Sequence, residues 1–556
     1  MRAQDGRQPD AGAAGTKTEQ GQARRAPVER EVDALVVGAG FAGLYAVQRL
    51  REQGFSVLGV EAGQDVGGTW YWNRYPGARC DVPSLNYAYT WSDEVRRAWR
   101  WSEKYATQPE ILRYIQFVAE RYDLRSAYLF GTRVQSAVFD EESARWTVTT
   151  DRGDRIRARY CLLATGNLSV PNLPQVEGAQ DFAGRVYHTG RWPHEPVDFR
   201  GLRVGLIGTG SSGVQAAPLL AAAAKELLVF QRTPNFSVPA HNGPLTEEDH
   251  QAFERQLPEF RKSLDSFGRV PASAFTAPVP SKEAQWQRYG DLWDHGGSSF
   301  LYAFPNILTH QEVNDGAAAF VKEKIRGIVK DPETAEALCA TRSPFGVKRV
   351  CVDTDYFATF NRPNVRLVNL RKEPLERLTP RGVQTARAEY ALDAVVFATG
   401  FDAMTGAILA MQIQGRGGRT MREAWAEGPQ SYLGLMVSGF PNLFTITGPG
   451  SPSVIGNVLL HGEHHVEYVL DLLRHAQAAG RPTIEAEAAA QHEWGRHVAS
   501  VAERTLFPQA NSWYLGSNIP CNPRVFMPYV GEGYRKTCAE IAADGYRGFQ
   551  FAPARP

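Results

Sequence analysis

The sequence predicts an α/β protein with two Rossmann-like dinucleotide-binding units, and three observations carry that fold class. Two loops of the form G-x-G-x-x-G occur, Gly38-Ala39-Gly40-Phe41-Ala42-Gly43 and Gly208-Thr209-Gly210-Ser211-Ser212-Gly213. Each follows a short apolar run and opens a stretch with helical periodicity. The tripeptide Ala-Thr-Gly closes two further strand-like runs, at Ala164-Thr165-Gly166 and Ala398-Thr399-Gly400.

Composition sets the outer bounds. A chain of 556 residues exceeds the size at which one core stops growing, so two or three domains are expected. Lys plus Arg number 61 against 60 Asp plus Glu, which leaves no net field to gather nucleic acid or an anionic membrane. No apolar run reaches the roughly 18 residues of a membrane helix. Cys80, Cys161, Cys339, Cys351, Cys521 and Cys538 are scattered, without C-x-x-C or zinc-type spacing. Thiols used this way suit a reducing, cytoplasmic setting. Residues 1–30 hold Gly, Ala, Gln and charge without periodicity and read as a disordered tail, with no apolar segment of a secretion signal.

Order is expected to begin at Val32, with a β-branched strand to Val37, the first glycine loop, and a helix through Leu50. A second strand, Phe55 to Val60, ends in Glu61. A lone glycine motif is weak, but strand, loop, helix, strand and terminal acid in one unit is specific. The glycines let backbone approach a pyrophosphate at a helix N-terminus, and Glu61 would accept from ribose hydroxyls. The aromatic, glycine-rich stretch from Gly67 to Asp81 suits a loop wall around a flat ring rather than a helix. A helix follows from Gln108 to about Arg121, then strands at Val134 to Phe139, Arg145 to Thr150 and Arg155 to Ala164.

A twelve-residue linker, Phe182 to Pro193, joins the two units. Its His188 beside Trp192 and Pro193 is, on residue type alone, an ordered connector. The second unit begins with a strand from Leu202 to Ile207, its glycine loop, and an Ala/Leu-rich helix. The partner strand Leu227 to Phe230 ends in Gln231-Arg232-Thr233, so an arginine stands where the first unit has an acid. That residue suits the 2′-phosphate of NADP, and two unlike dinucleotides are the layout of a flavoprotein reduced by NADPH. Residues 244–338 read as a helical insertion, with capping signals at Thr246 to Asp249 and at Asp331-Pro332. Strands resume near Val347 to Val352, Val365 to Val368 and Leu392 to Ala398. The second Ala-Thr-Gly then returns the chain to the first unit. The expected division is therefore 31–168 with 400–556 for FAD and 169–399 for NADP. His461, His464 and His465 share a face of the last long helix, but their spacing fits no zinc motif and they read as packed or solvated, with no metal expected.

Several functions fit two nucleotide sites: a disulfide reductase, an N- or S-oxygenating monooxygenase, a ketone-oxidising monooxygenase, and a redox-sensing module without turnover. The reductase is disfavoured because Cys80 has no partner at short spacing. The linker, F-x-G-x-x-x-H-x-x-x-W-P on Phe182, Gly184, His188, Trp192 and Pro193, resembles the signature of type I Baeyer–Villiger monooxygenases. N-oxygenating relatives carry Phe or Tyr at the place of Trp192. The resemblance runs from about Val32 to about Phe551 and is strongest to the phenylacetone and steroid monooxygenase branch.

The resemblance implies that NADPH reduces FAD and that molecular oxygen adds at flavin C4a. The resulting peroxide would attack a hydrophobic, cyclic or bulky ketone, and the Criegee adduct would rearrange to an ester or lactone. Arg349 matches the family's catalytic arginine and Asp81 the carboxylate that positions it. Gly38, Gly40, Gly43, Glu61, Gly68, Thr69, Trp70, Tyr87 and Val134 match the FAD site. Gly208, Gly210, Ser211, Gly213, Arg232, Thr233 and Lys348 match the NADP site, and Trp513 matches a tryptophan on a mobile loop over the nicotinamide. His188 matches the linker histidine that couples domain motion to turnover. Asn167, Leu168, Cys351, Pro452, Val454, Ile455 and Met527 match positions lining the substrate cavity. Cys351, Val454 and Ile455 differ in type from the branch, and Gly531-Glu532-Gly533-Tyr534 replaces a longer glycine-aromatic form. A monomer without nucleic-acid or membrane partners is expected, and the alternative function is N- or S-oxygenation.

Overall fold

In the computed structural model, which describes residues 25–263 and 270–553, the strand Glu29–Val37 lies between Val57–Val60 and Arg155–Leu163, parallel to both. Ala34, Leu35 and Val36 are fully buried, as a strand covered on both faces must be. The expected disordered tail lies mostly outside the described residues, and where the two overlap it is corrected. Glu29 and Arg30 already pair with Arg155 and Ile156, and Arg25 makes a two-pronged ion pair with buried Asp154 at 2.6 and 2.7 Å. Sheet pairing begins three residues before the β-branched run, because backbone hydrogen bonds do not require apolar side chains.

Eight strands form this first sheet. From one edge they run 412–414, 134–140, 145–150, 155–163, 29–37, 57–60 and 128–129, with Leu443–Thr445 pairing to the end of Arg155–Leu163. The antiparallel meander from Val134 to Leu163 appears where the alternating pattern placed it. Gln412–Gln414 and Leu443–Thr445 join it from some 250 residues further along the chain, both in parallel register. Phe41–Glu52 covers one face with Leu44, Tyr45, Val47 and Leu50, against Gln108–Arg121 and Val458–Ala478. The Gly67 to Asp81 stretch departs from the expected loop: Thr69–Trp72 forms one helical turn, which buries Trp70 and Tyr71.

The second sheet has five parallel strands, in the order 365–369, 226–231, 203–207, 394–397 and 185–188. A third of the expected linker is therefore sheet: Arg185–His188 is its edge strand. The segments that cross between the two sheets pair with each other, Val170–Pro171 running antiparallel to Phe401–Asp402. The expected Val347 to Val352 strand shrinks to Cys351–Asp353, since the residues before it turn to deliver Arg349. Leu375–Thr379, Gly382–Thr385 and Glu389–Ala391 form a small antiparallel sheet that no sequence signal had marked.

The insertion supplies helices Glu247–Ser263, Lys282–His295, Gln311–Ile328 and Pro332–Cys339. Both capping signals are realised. Thr246 and Asp249 cap each other's backbone, and Asp331 accepts from Thr334 N at 2.9 Å. Among the described residues, no helix is long and apolar enough to cross a membrane.

Candidate active site

Both glycine loops are built alike, and the packing separates three uses of glycine. Gly38 and Gly208 hold φ of +109° and +110°, and a β-carbon would lie 2.5 Å from Ala164 O in one case and 2.4 Å from Ala398 O in the other. The two Ala-Thr-Gly returns are thus the backbone floors of the two loops. Gly43 and Gly213 let each helix pack on its own loop, since a β-carbon would meet Gly38 O at 1.8 Å and Gly208 O at 2.2 Å. Gly210 is different: nothing lies within 4 Å of where its β-carbon would be. Its neighbours in the protein do not demand glycine, so the open space in front of the helix fits a pyrophosphate approaching backbone N–H groups. Gly40 faces Gly68 at 3.5 Å, a similar opening bounded by a second glycine.

Glu61 is buried at the end of its strand, where its carboxylate accepts from Ala39 N at 2.7 Å and Gly63 N at 2.6 Å. Burial raises its pKa, and those backbone donors oppose the rise. It therefore holds the loop in shape, and each oxygen keeps a lone pair for a ribose hydroxyl. Trp70 Nε1 donates to Tyr87 Oη at 3.2 Å, both rings being buried, whereas Thr69 is exposed at the start of its helical turn. Val134 is buried at the first position of its strand.

At the end of the second unit's strands, cations gather around Lys348. Arg232 is exposed and Lys348 half-buried. Burial lowers the Lys348 pKa, and the positive charges of Arg232 and Arg371 lower it further. Arg371, which sequence reasoning missed, donates to Thr233 Oγ1 at 3.4 Å and to Ala340 O at 3.0 Å. Like charges brought this close repel one another unless an anion sits among them, and a 2′-phosphate meets that need. No motif could have flagged Arg371, because it follows a strand that reaches Arg232 only through sheet pairing between 226–231 and 365–369.

The centre of the site is an ion pair between the two units. Arg349 Nε donates to Asp81 Oδ2 at 2.5 Å, one Nη to Asp81 Oδ1 at 2.7 Å, and the other Nη to Val454 O at 2.8 Å. Burial alone would lower the arginine's pKa, but the charge and hydrogen bonds of Asp81 outweigh it and raise it well above the ordinary value. Burial likewise pushes Asp81 up, and Arg349 more than reverses that, so the carboxyl is held below its usual range. The pair stays ionised across the working pH range. Asn314 and Asn235 fix the arginine's backbone: Asn314 Nδ2 donates to Phe345 O while its Oδ1 accepts from Phe345 N, and Asn235 Nδ2 donates to Arg349 O at 3.0 Å.

Arg349 and Asp81 line a cavity of about 360 Å³. Much of the wall comes from the insertion, through Phe300, Leu301, Tyr302, Phe304 and Leu308. Val270, Phe507 and Tyr514 add further apolar surface, and Glu532 accepts from Ala272 N at 3.0 Å at its edge. Of the seven expected cavity residues only Ile455 lines it. Leu168, Val454 and Met527 pack behind Ile455 in one apolar cluster with Trp513 and Tyr514. Asn167 Nδ2 donates to Thr447 Oγ1 and Ser453 Oγ, Cys351 Sγ accepts from Asn235, and Pro452 is buried before the short turn Ser453–Ile455. The aromatic run Ser298 to Pro305 carried a signal, since so many rings after two glycines are unusual, but its position within a helical insertion hid it. Trp513 is half-buried, its ring centred 4.3 Å from that of Tyr514.

The linker motif has a structural account. A β-carbon on Gly184 would strike the Phe182 ring at 2.4 Å and Asp393 O at 2.5 Å. Trp192 stacks on Tyr187 at 5.2 Å. His188 Nδ1 accepts from Gly190 N at 3.0 Å, so Nε2 bears the proton and donates to Thr399 Oγ1 at 3.2 Å, which donates to Asn172 O at 2.7 Å. One imidazole thus ties together both crossings between the sheets. Burial lowers its pKa to about 4. The unfolded chain takes up this proton below its ordinary value of 6.5 and the folded one does not until about 4, so His188 subtracts stability as pH falls through that window. We expect His188→Gln to flatten the acid limb of stability between those values by at most about 3 kcal/mol, read as the difference from wild type in denaturant titrations. Parallel pH curves would contradict it. His465, also expected as a packed residue, accepts from Thr447 N at 3.0 Å and lies 2.8 Å from Tyr534 Oη.

Two dinucleotide pockets meeting at a charged, apolar-walled cavity define a pyridine-nucleotide-dependent flavoprotein. A family model described as pyridine nucleotide-disulphide oxidoreductase matches residues 35–244. No disulfide joins any of the six cysteines, so the match reflects the nucleotide-binding architecture. A Baeyer–Villiger monooxygenase of Pseudooceanicola batsensis is 41% identical over 529 residues, covering 93% of this chain and 96% of its own. Phenazine N-monooxygenase PhzNO1 of Lysobacter antibioticus is 40% identical over 527 residues, covering 93% and 96%. The structure of an oxidised steroid monooxygenase bound to NADP is 48% identical with a TM-score of 0.89, covering 94% of this chain and 99% of that one. The chain belongs to the Baeyer–Villiger monooxygenases.

Proposed function

We propose that the first glycine loop holds FAD and the second NADPH, and that the cavity beside Arg349 takes a hydrophobic ketone, which molecular oxygen converts to an ester or lactone. The observation that carries this is the Arg349–Asp81 pair facing an apolar cavity between the two pockets. The proposed division, 31–168 with 400–556 for FAD and 169–399 for NADP, is supported by the strand origins of the two sheets. Bound FAD supplies the redox centre through which electrons from NADPH reach oxygen.

What the chain contributes is a fixed cation and a dry wall. A guanidinium has five N–H donors, and three are committed to Asp81 and Val454. The remaining two are left for Tyr514, which lies within hydrogen-bond reach, and for an oxygen anion in the cavity. Asp81 keeps the cation oriented and charged. The rings from Phe300 to Phe304 exclude water, which strengthens that charge. A ketone needs polar recognition only at its carbonyl, so an apolar wall selects hydrophobic substrates.

The cations around Thr233 make NADPH the electron donor. Arg232→Ala is expected to raise KM for NADPH roughly 10- to 100-fold, the worth of one charge-assisted bond, and to leave KM for NADH unchanged. Equal losses with both donors would contradict the phosphate assignment. The phenazine N-monooxygenase relative favours a second reading, heteroatom oxygenation at the same cavity. Purified protein given NADPH, oxygen and separate panels of ketones and aromatic amines decides between them: esters support the first reading, and N-oxides with no ester from any ketone the second.

A further inference from the structure

The loop that ends in Asp81 is tied to the second glycine helix, Ser211–Ala223, chiefly through Gln215. Tyr75 Oη donates to Gln215 Oε1 at 2.7 Å, and Gln215 Nε2 donates to Arg79 O at 3.1 Å. The tyrosine hydroxyl also bonds Ser212, in the first turn of the same helix. Between those two anchors Gly77, at φ +85°, presses on the helix, and a β-carbon there would lie 2.2 Å from Gln215 O. Tyr75 and Ala78 are buried in one cluster with Val214 and Ala217. The loop leaves the first unit's chain and packs into the second unit's core.

That placement matters because the ion pair has one member in each unit. Asp81 stands two residues beyond Arg79, and Arg349 comes from the second unit. Their two-pronged geometry depends on how the units sit against each other, and Gln215 is a contact that sets it. The same helix presents its N-terminus to the open space at Gly210.

We propose that Gln215 is a positioning residue for oxygen insertion: by holding Tyr75 and Arg79 it fixes the second nucleotide loop relative to the Asp81–Arg349 pair. The proposal rests on the ketone-oxygenating reading above. Without the tie the cofactor pockets stay intact, but the guanidinium is misplaced relative to the oxygen it must stabilise. Electrons from NADPH then reach oxygen and leave as hydrogen peroxide instead of entering ester.

The test uses the holoenzyme with Gln215→Met, which keeps the length of the side chain and removes its polar atoms. A misplacement of about 1 Å can cost up to a hundredfold, so we expect kcat for ester to fall roughly 10- to 100-fold. Peroxide should account for the NADPH no longer recovered as ester. FAD content, melting temperature, and NADP+ affinity by calorimetry (within about twofold) should match wild type. Tyr75→Phe removes only the hydroxyl and should shift the ester-to-peroxide ratio the same way. Because both changes break the Tyr75–Gln215 bond, the losses in the double variant should be less than additive.

An unchanged ratio in both single variants overturns the proposal, as does a loss of NADP+ affinity in step with it, which would make Gln215 a cofactor ligand. Additive losses in the double variant overturn it as well. Should Gln215→Met fail to fold, Tyr75→Phe decides by itself. A wild type that makes no ester from any ketone sinks the reading beneath the proposal, and that result is visible before any variant is compared.

Discussion

Arg349→Ala is expected to keep consuming NADPH while forming almost no ester. Removing one preorganised electrostatic stabiliser costs roughly 3–4 kcal/mol, or ~10²–10³ in rate. Here the loss should reach the upper part of that range, because the cation is held by two bonds to Asp81 and a third to Val454 O and faces a largely apolar cavity. Water replacing the guanidinium would have to reorganise around the developing anion at each turnover. Asp81→Asn should show a smaller version of the same defect, since the amide keeps the shape of the carboxylate without its charge. The measurement is ester formed against NADPH oxidised, under air. Undiminished ester from Arg349→Ala would remove it from the catalytic role, and with it the central claim about this cavity.

The second large effect concerns the glycine loops, where one substitution should destroy and another should only blind. Gly43→Ala would place a β-carbon 1.8 Å from Gly38 O, a backbone atom that cannot swing aside. The helix Phe41–Glu52 must lift off its loop, at a cost we put at more than about 3 kcal/mol, with loss of bound FAD. Gly210→Ala meets nothing within 4 Å. That variant should melt with wild-type stability and bind FAD normally, yet show a strongly raised KM for NADPH, because its methyl occupies space meant for the pyrophosphate. Thermal melts with flavin fluorescence, followed by NADPH kinetics, read both. A stable, yellow Gly43→Ala protein, or a Gly210→Ala protein with an unchanged KM, would contradict the division of roles among the three glycines of each loop.

Much of this was legible without coordinates, because the informative signals were local. A strand, a glycine turn and a helix N-terminus lie within about fifteen consecutive residues, and the rule connecting them is steric. The same holds for the helix Gln108–Arg121, the meander from Val134 to Leu163, and the caps at Thr246 and Asp331, each decided by neighbours within one or two turns. The resemblance carried Arg349 and Asp81, whose separation of 268 positions defeats any argument from spacing. The cavity was read less well. Of the residues offered for its wall only Ile455 reaches it, and the Phe300 to Leu308 segment that does the lining lay in a region marked simply as helical.

The sequence by itself determined the two glycine loops and the residues that distinguish them, Glu61 after one and Arg232 after the other, since those signals are written in adjacent residues. Only the tertiary structure decided what stands between the pockets. Arg371 joins Arg232 and Lys348 through sheet pairing. Gln215 reaches Tyr75 across the seam between the units, and His188 meets Thr399 because two crossings of the chain run side by side. Such neighbours are chosen by how two cores close on each other, and closure is a property of packed surfaces that no local pattern of residues records.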